Sequence, residues 1–265
     1  MTRAGLWITF LAVAVVGGTS CSKRTVTPGP PAVPPPPAIT DGQSLFAAMQ
    51  RRYSGQWFKT LSFTQNNTLY TSRGESKSQW RQQVAVPGKL RIDYMPLNQR
   101  SGVLFDGARV HTFDNGRAID VQPGINPVLL LTADVYVLPL ERSTHVLDSL
   151  GFDLSKLRRD TWEGQSVYVV GAPAGDSTTS QFWIDADRLV ALRVVQKERS
   201  GTRSIVSDAR FSKFADNGGF PIATEVLRYR DGRLVFREQY VDVRVNEPIA
   251  DATFDPTKWS GGQRP

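Results

Sequence analysis

The chain is poor in the residues on which most chemistry depends. Its 265 residues include one cysteine, Cys21, and two histidines, His111 and His145. A single cysteine excludes an internal disulfide. One thiol and two imidazoles fall short of the nitrogen and sulfur ligands that a structural zinc site needs. No glycine-rich phosphate loop follows a strand pattern, and no serine stands in a nucleophile-elbow sequence. Asp185 and Asp187 come nearest to a carboxylate pair, but their place after Trp183-Ile184 suits a turn better. The expectation is a protein that is not an enzyme and carries no metal or cofactor. Long apolar runs are missing too. Leu6–Val16 gives about 11 residues, roughly half of the ~20 that a membrane-spanning helix requires. A mean hydropathy of −0.29 argues against spans elsewhere.

What the N-terminus does contain is ordered by type. Arg3 is followed by the apolar run, then by Gly17-Gly18-Thr19-Ser20, then by Cys21. Positive, apolar and small, in that order, is the layout of an export signal. A cysteine directly after the small residues resembles a bacterial lipoprotein signal, in which the thiol is acylated and becomes the new N-terminus. Gly18 departs from that motif, which favours an aliphatic residue three before the cysteine. Residues 1–20 are therefore expected to be a signal peptide, with Cys21 as the lipid-attachment site. Ser22 rather than Asp after the cysteine points, by enterobacterial analogy, to the outer membrane facing the periplasm. Residues 21–39 read as a tether. Thr25–Ile39 holds seven prolines, and a polyproline-type segment at ~3.1 Å per residue reaches about 45 Å. The same prolines also suit a ligand for a peptide-binding module.

Residues 40–265 are expected to form one mainly β domain. Asp41–Tyr53 has helical spacing, with Thr40 or Asp41 as the cap. After Gly55 the period becomes two: Leu61, Phe63, Gln65 and Asn67 alternate with Ser62, Thr64 and Asn66. Leu90, Ile92 and Tyr94 alternate with Lys89, Arg91 and Asp93, as in a half-buried antiparallel strand. Asp106-Gly107, Asn115-Gly116, Glu163-Gly164 and Asp231-Gly232 supply the positive φ of tight hairpins. The spacing implies a meander of about 11–13 strands. Pro123–Gly151 interrupts it with Leu129-Leu130-Leu131, Val135 and Val137, then a helical piece from Thr144 to Leu150. So many aliphatics need a cover, and short helices lying on the sheet would supply it. The formal charge is +7, spread along strands rather than clustered, which argues against nucleic acid.

The order of helix, meander, apolar insertion and second meander resembles the LolA/LolB-like superfamily of periplasmic lipoprotein carriers and receptors. The resemblance covers Gln43–Trp259. It rests on Pro87-Gly88-Lys89-Leu90-Arg91-Ile92-Asp93-Tyr94, on Val103-Leu104-Phe105-Asp106-Gly107 leading into Val110-His111-Thr112-Phe113, and on Asn246-Glu247-Pro248-Ile249 and Phe254-Asp255-Pro256. It implies a single curved antiparallel sheet forming an open half-barrel, with an N-terminal helix and a helical lid. Val86 stands where soluble carriers often have an arginine that latches the lid. The implied ligand is the acyl chains of lipids or lipoproteins. Phe63, Trp80, Leu90, Ile92, Tyr94, Phe105 and Phe113 are the candidate cavity residues, and Trp57, Trp162 and Trp183 add aromatic surface. The sequence leaves open whether these line a groove or fill a core. Leu129, Leu130, Leu131, Val135 and Val137 are the candidate lid. Met95 and Leu97, in the turn Met95-Pro96-Leu97-Asn98, are the candidate transfer loop, with Leu97 either projecting or tucked against Tyr94. The expected protein is an anchored, monomeric binder of acyl chains in lipoprotein or lipid transport. The alternative is a protein-interaction lipoprotein, an envelope sensor or assembly factor, using the same fold.

Overall fold

A computed structural model describes residues 37–200 and 203–259. The signal segment, Cys21 and all but the end of the tether lie outside the described residues. Helix α1 (Gly42–Arg52) precedes six strands: β1 (Thr60–Thr71), β2 (Gly74–Ala85), β3 (Lys89–Tyr94), β4 (Gly102–Asp106), β5 (Arg109–Asp114) and β6 (Arg117–Pro123). Two short helices follow, α2 (Pro127–Thr132) and α3 (Leu140–Ser149). Seven more strands complete the chain: β7 (Leu157–Trp162), β8 (Gln165–Val170), β9 (Gln181–Asp185), β10 (Ala191–Ser200), β11 (Arg203–Asp216), β12 (Pro221–Arg230) and β13 (Arg233–Val245).

All 13 strands form one sheet in the order β6-β5-β4-β3-β2-β1-β13-β12-β11-β10-β9-β8-β7. Each half is a simple meander, and the antiparallel pairing of β1 with β13 joins the halves. The sheet is not closed into a barrel: its edges, β6 and β7, are unpaired with each other. They are neighbours in sequence, so the helical insertion between them must travel from one edge to the other. Local chemistry sets the hairpins. Asn115-Gly116, Glu163-Gly164 and Asp231-Gly232 all have positive φ at both positions. They close two-residue loops with Asp114 opposite Arg117, Trp162 opposite Gln165 and Arg230 opposite Arg233. That is the backbone a right-twisted hairpin needs.

Helix α1 begins at a reciprocal cap. Asp41 Oδ1 accepts from the Ser44 amide at 2.7 Å, and Ser44 Oγ accepts from the Asp41 amide at 3.0 Å. Leu45, Phe46 and Met49 are completely buried on one helix face, and Phe46 stacks on Phe182 of β9 with ring centres 5.5 Å apart. Gln50 on the same helix donates to the carbonyls of Val135 and Leu138, at 2.9 and 2.8 Å. The first helix and the insertion therefore share one core on the inner face of the sheet.

A second, smaller core lies on the outer face. Leu104 and Phe113 pack there against Phe254 and Trp259 from the C-terminal segment. The rings of Phe113 and Trp259 stack at 4.2 Å, and the Arg91 guanidinium lies 4.1 Å over the same indole. Gly102 makes room for this contact: a Cβ there would meet the Ile92 carbonyl oxygen at 2.0 Å and Trp259 at 3.0 Å. Phe113 is thus a correction to the expected cavity set, because alternation along β5 turns it to the covered outer face. A third cluster on that face, with Trp162 and Trp183 in edge contact at 5.0 Å, removes those two tryptophans from the inner face as well.

The outer core yields a test. Trp259→Ala should lower the unfolding free energy by about 3–5 kcal/mol, as for large aromatic deletions in cores. Urea denaturation measures it; a loss under about 1 kcal/mol would show that the C-terminal segment is not part of the folded unit.

Candidate functional site

Strand β1 sets the character of the inner face. Leu61, Phe63, Gln65 and Asn67 occupy alternate positions and all are buried. Directly opposed residues of an antiparallel pair share a face. Leu61, Phe63 and Gln65 therefore continue into Val84, Gln82 and Trp80 of β2, and these into Leu90, Ile92 and Tyr94 of β3. On the other side Gln65 and Asn67 face Tyr240 and Glu238 of β13. The row is apolar at one end and polar at the other.

Above it lies a cavity of about 430 Å³, within the ~300–1,000 Å³ usual for small-molecule sites. Trp57, Phe58, Leu61, Phe63, Val84, Leu90 and Ile92 form one wall, and Phe211, Phe214, Ile222 and Ala223 of β11 and β12 form the facing wall. The insertion closes it with Val128, Leu129, Thr132, Ala133 and Tyr136. Tyr136 lies flat on Trp57, ring centres 3.7 Å apart, and its hydroxyl donates to the Leu189 carbonyl at 2.9 Å. Trp57 Nε1 is buried with no hydrogen-bond partner among the described residues.

The polar end is a connected network. Gln82 donates to Gln65, and Gln65 donates to Asn67 Oδ1 at 2.6 Å. Arg228 Nε donates to Glu238 Oε1, and the Tyr240 hydroxyl donates to Glu238 Oε2 at 2.6 Å. The Tyr240 ring stacks on Phe63 at 4.2 Å. Burial pushes the phenols of Tyr136 and Tyr240 well above their ordinary range, so both remain donors. Among the described residues no three metal-ligating side chains come together, and no helix is long and apolar enough to cross a membrane.

The sequence-derived candidates divide by position. Phe63, Trp80, Leu90 and Ile92 line the cavity. Tyr94 shares their face without lining the cavity, its ring 5.1 Å from that of Trp80. Phe105 borders a separate void of about 130 Å³ beneath Leu129 and Leu130. Of the candidate lid, Leu129 lines the cavity, whereas Leu130, Leu131 and Val135 are packed into the main core and Val137 is exposed. The cover is therefore docked by buried side chains, and a charge at Leu130 would strike the core, with a cost to folding as well as to the cavity. Met95 is 40% exposed, and Leu97 is half-buried in a one-turn 3-10 helix. Asp185 makes a turn: its Oδ1 accepts from the amides of Asp187 and Arg188 at 2.9 and 2.7 Å. The polar end, Gln65, Gln82, Arg228 and Glu238, escaped sequence reasoning. Its signal was there in part, since Gln65 keeps the phase of Leu61 and Phe63.

The insertion is also tied to the β2–β3 turn. Asp134 Oδ1 accepts from the Gly88 amide at 2.9 Å, two residues from Val86. Asp134 is 4% exposed; its burial pushes the carboxyl up to about 6, against the lowering effect of the Gly88 bond. Arg142 borders the same void. A raised folded pKa means that ionisation weakens the native state. Stability from this group is therefore full below the unfolded value near 3.8 and is lost as pH rises through about 6. Asp134→Asn keeps an oxygen for Gly88 and should gain on wild type by roughly 1–3 kcal/mol above pH ~7, with the gap closing towards pH ~4. Thermal melts of the two proteins across that range check it; a gap constant with pH would contradict it.

No protein-family model matches the sequence, and a search of curated proteins finds no match. The fold does have counterparts among solved structures. One, described as an outer membrane lipoprotein-sorting protein domain from Vibrio parahaemolyticus, superposes with a TM-score of 0.55 at 14% identity, covering 82% of this chain and 97% of its own. A DUF1329 family protein from Desulfovibrio piger gives 0.58 at 13% identity, covering 83% and 98%. A LolA superfamily protein from Nitrosomonas europaea gives 0.51 at 14% identity, covering 82% and 98%. This chain shares the overall fold of these three solved structures.

Proposed function

We propose that this LolA-like chain is a membrane-anchored envelope lipoprotein that binds acyl chains of lipids or lipoproteins and serves their transport or sorting. The observation that carries the proposal is the apolar cavity between the open sheet and its docked helical insertion. Aliphatic and aromatic walls offer an acyl chain what water does not, at ~25 cal/mol per Å² of apolar surface removed. The lipoprotein-sorting description of one structural counterpart supports the same direction. In this proposal Cys21 carries the anchor, the proline tether holds the domain off the outer membrane on its periplasmic side, and Leu129 with Tyr136 covers the bound chain. Met95, exposed at the end of β3, is the proposed contact for transfer. The protein acts alone on its ligand and carries out no covalent step.

A blocked cavity tests this. Ala223 of β12 is among the residues lining the cavity and is half-buried. Ala223→Trp should abolish saturable binding of an environment-sensitive fluorescent fatty acid while changing unfolding free energy by less than about 3 kcal/mol. Equal binding by the variant and the wild type would place the acyl chain elsewhere.

A further inference from the structure

Acyl chains carry no charge, yet one arginine and one carboxylate line this cavity: Arg228 of β12 and Glu238 of β13. Burying an ion pair is seldom the best way to stabilise a fold, since apolar residues of similar size do as well or better. The pair is better explained by something that it binds. Glu238 is 2% exposed and has both oxygens engaged, one by Arg228 Nε and the other by the Tyr240 hydroxyl. Gln65 and Gln82 are engaged with each other. Arg228 is different. Its side chain is 40% exposed, and Nε is its single donor in use; the terminal guanidinium nitrogens donate to no group among the described residues.

The position of Arg228 gives those donors a use. It borders both the cavity and a neighbouring depression of about 530 Å³ on the β10–β12 side. Phe236, Asn126 and Val128 are shared in the same way. The depression adds Arg230, Glu198 and Asp208, and Asp208 is already held by Arg193 and Arg210. With Asp208 held elsewhere, Arg228 and Arg230 stand at the passage with Glu238 and Glu198, and Glu238 takes only the Nε donor of Arg228. A guanidinium edge with two parallel N–H groups matches a carboxylate or phosphate, and such charge-assisted bonds are the strong ones.

We propose that Arg228 is a head-group anchor: it donates to an anionic oxygen group, carboxylate or phosphate, on a lipid whose chain lies in the apolar part of the cavity. Glu238 and Tyr240 hold the guanidinium in place. The proposal rests on the acyl-chain reading above and adds a requirement for the head.

Competition separates the two. The mature full-length chain is loaded with the fluorescent fatty acid at about pH 8, where carboxylates are ionised. It is then titrated with palmitate, palmitoyl lysophosphatidic acid, methyl palmitate and hexadecanol. At least one anionic lipid should displace the probe about tenfold more tightly than the two uncharged ones, the scale of one charge-assisted bond; which of them does so identifies carboxylate or phosphate. Arg228→Gln should erase that preference and keep methyl palmitate binding. Because that variant strands Glu238, the double variant Arg228→Gln/Glu238→Gln is measured beside it and should behave alike. Equal displacement by all four lipids, or a preference that survives in the double variant, overturns the head-group anchor and leaves the acyl-chain reading standing. Displacement by none of them overturns both.

Discussion

The pairing of β1 with β13 is the constraint on which the rest of the molecule depends. It joins two meanders edge to edge and places β6 and β7 at opposite ends of one sheet. Because β6 and β7 are also consecutive in sequence, the segment between them has to cross the sheet. A sheet that stays open exposes one whole face unless something lies on it, and a bare apolar face of that size is not tolerated in water. The insertion supplies that cover with Leu129, Leu130, Leu131 and Val135, and α1 adds Leu45, Phe46 and Met49. The cavity is what remains where the cover and the curved sheet do not meet.

A gradient runs through that space. Along one phase of β1 the side chains change from Leu61 and Phe63 to Gln65 and Asn67, and β12 and β13 match the change with Arg228, Glu238 and Tyr240. The amides direct their hydrogen bonds to one another, which removes the penalty of leaving buried polar groups unpaired. The arginine keeps donors free. An apolar chamber with one polar end is the shape expected of a site for amphiphiles. The outer face serves the fold instead, where the C-terminal segment and the stacked Phe113 and Trp259 finish a structural core.

Much of the fold was legible in the sequence because its signals are local. Period-two alternation marked the strands, Asn115-Gly116, Glu163-Gly164 and Asp231-Gly232 marked the two-residue hairpins, Asp106-Gly107 marked a longer turn, and Asp41 marked the start of α1. The break in rhythm after Pro123 marked the insertion. Which face a residue takes was less legible. Phe113 and Leu90 look alike in sequence, and only the packing of Phe254 and Trp259, more than a hundred residues later, turns the outer side of β5 into a core. Leu129 and Leu130 are both buried in the main core, yet one position on a single turn of helix is enough to put Leu129, and not Leu130, on the cavity wall. The polar end was missed because it joins β1, β2, β12 and β13, and no linear pattern shows Arg228 beside Glu238 in the company of Gln65.

Native mass spectrometry of the full-length chain, purified gently from its native source, tests the central claim most directly. A site for acyl chains predicts a native mass above the denatured mass of the same polypeptide, with the difference recovered as extractable lipid. Identical native and denatured masses, with no acyl chain in the extract, would contradict it.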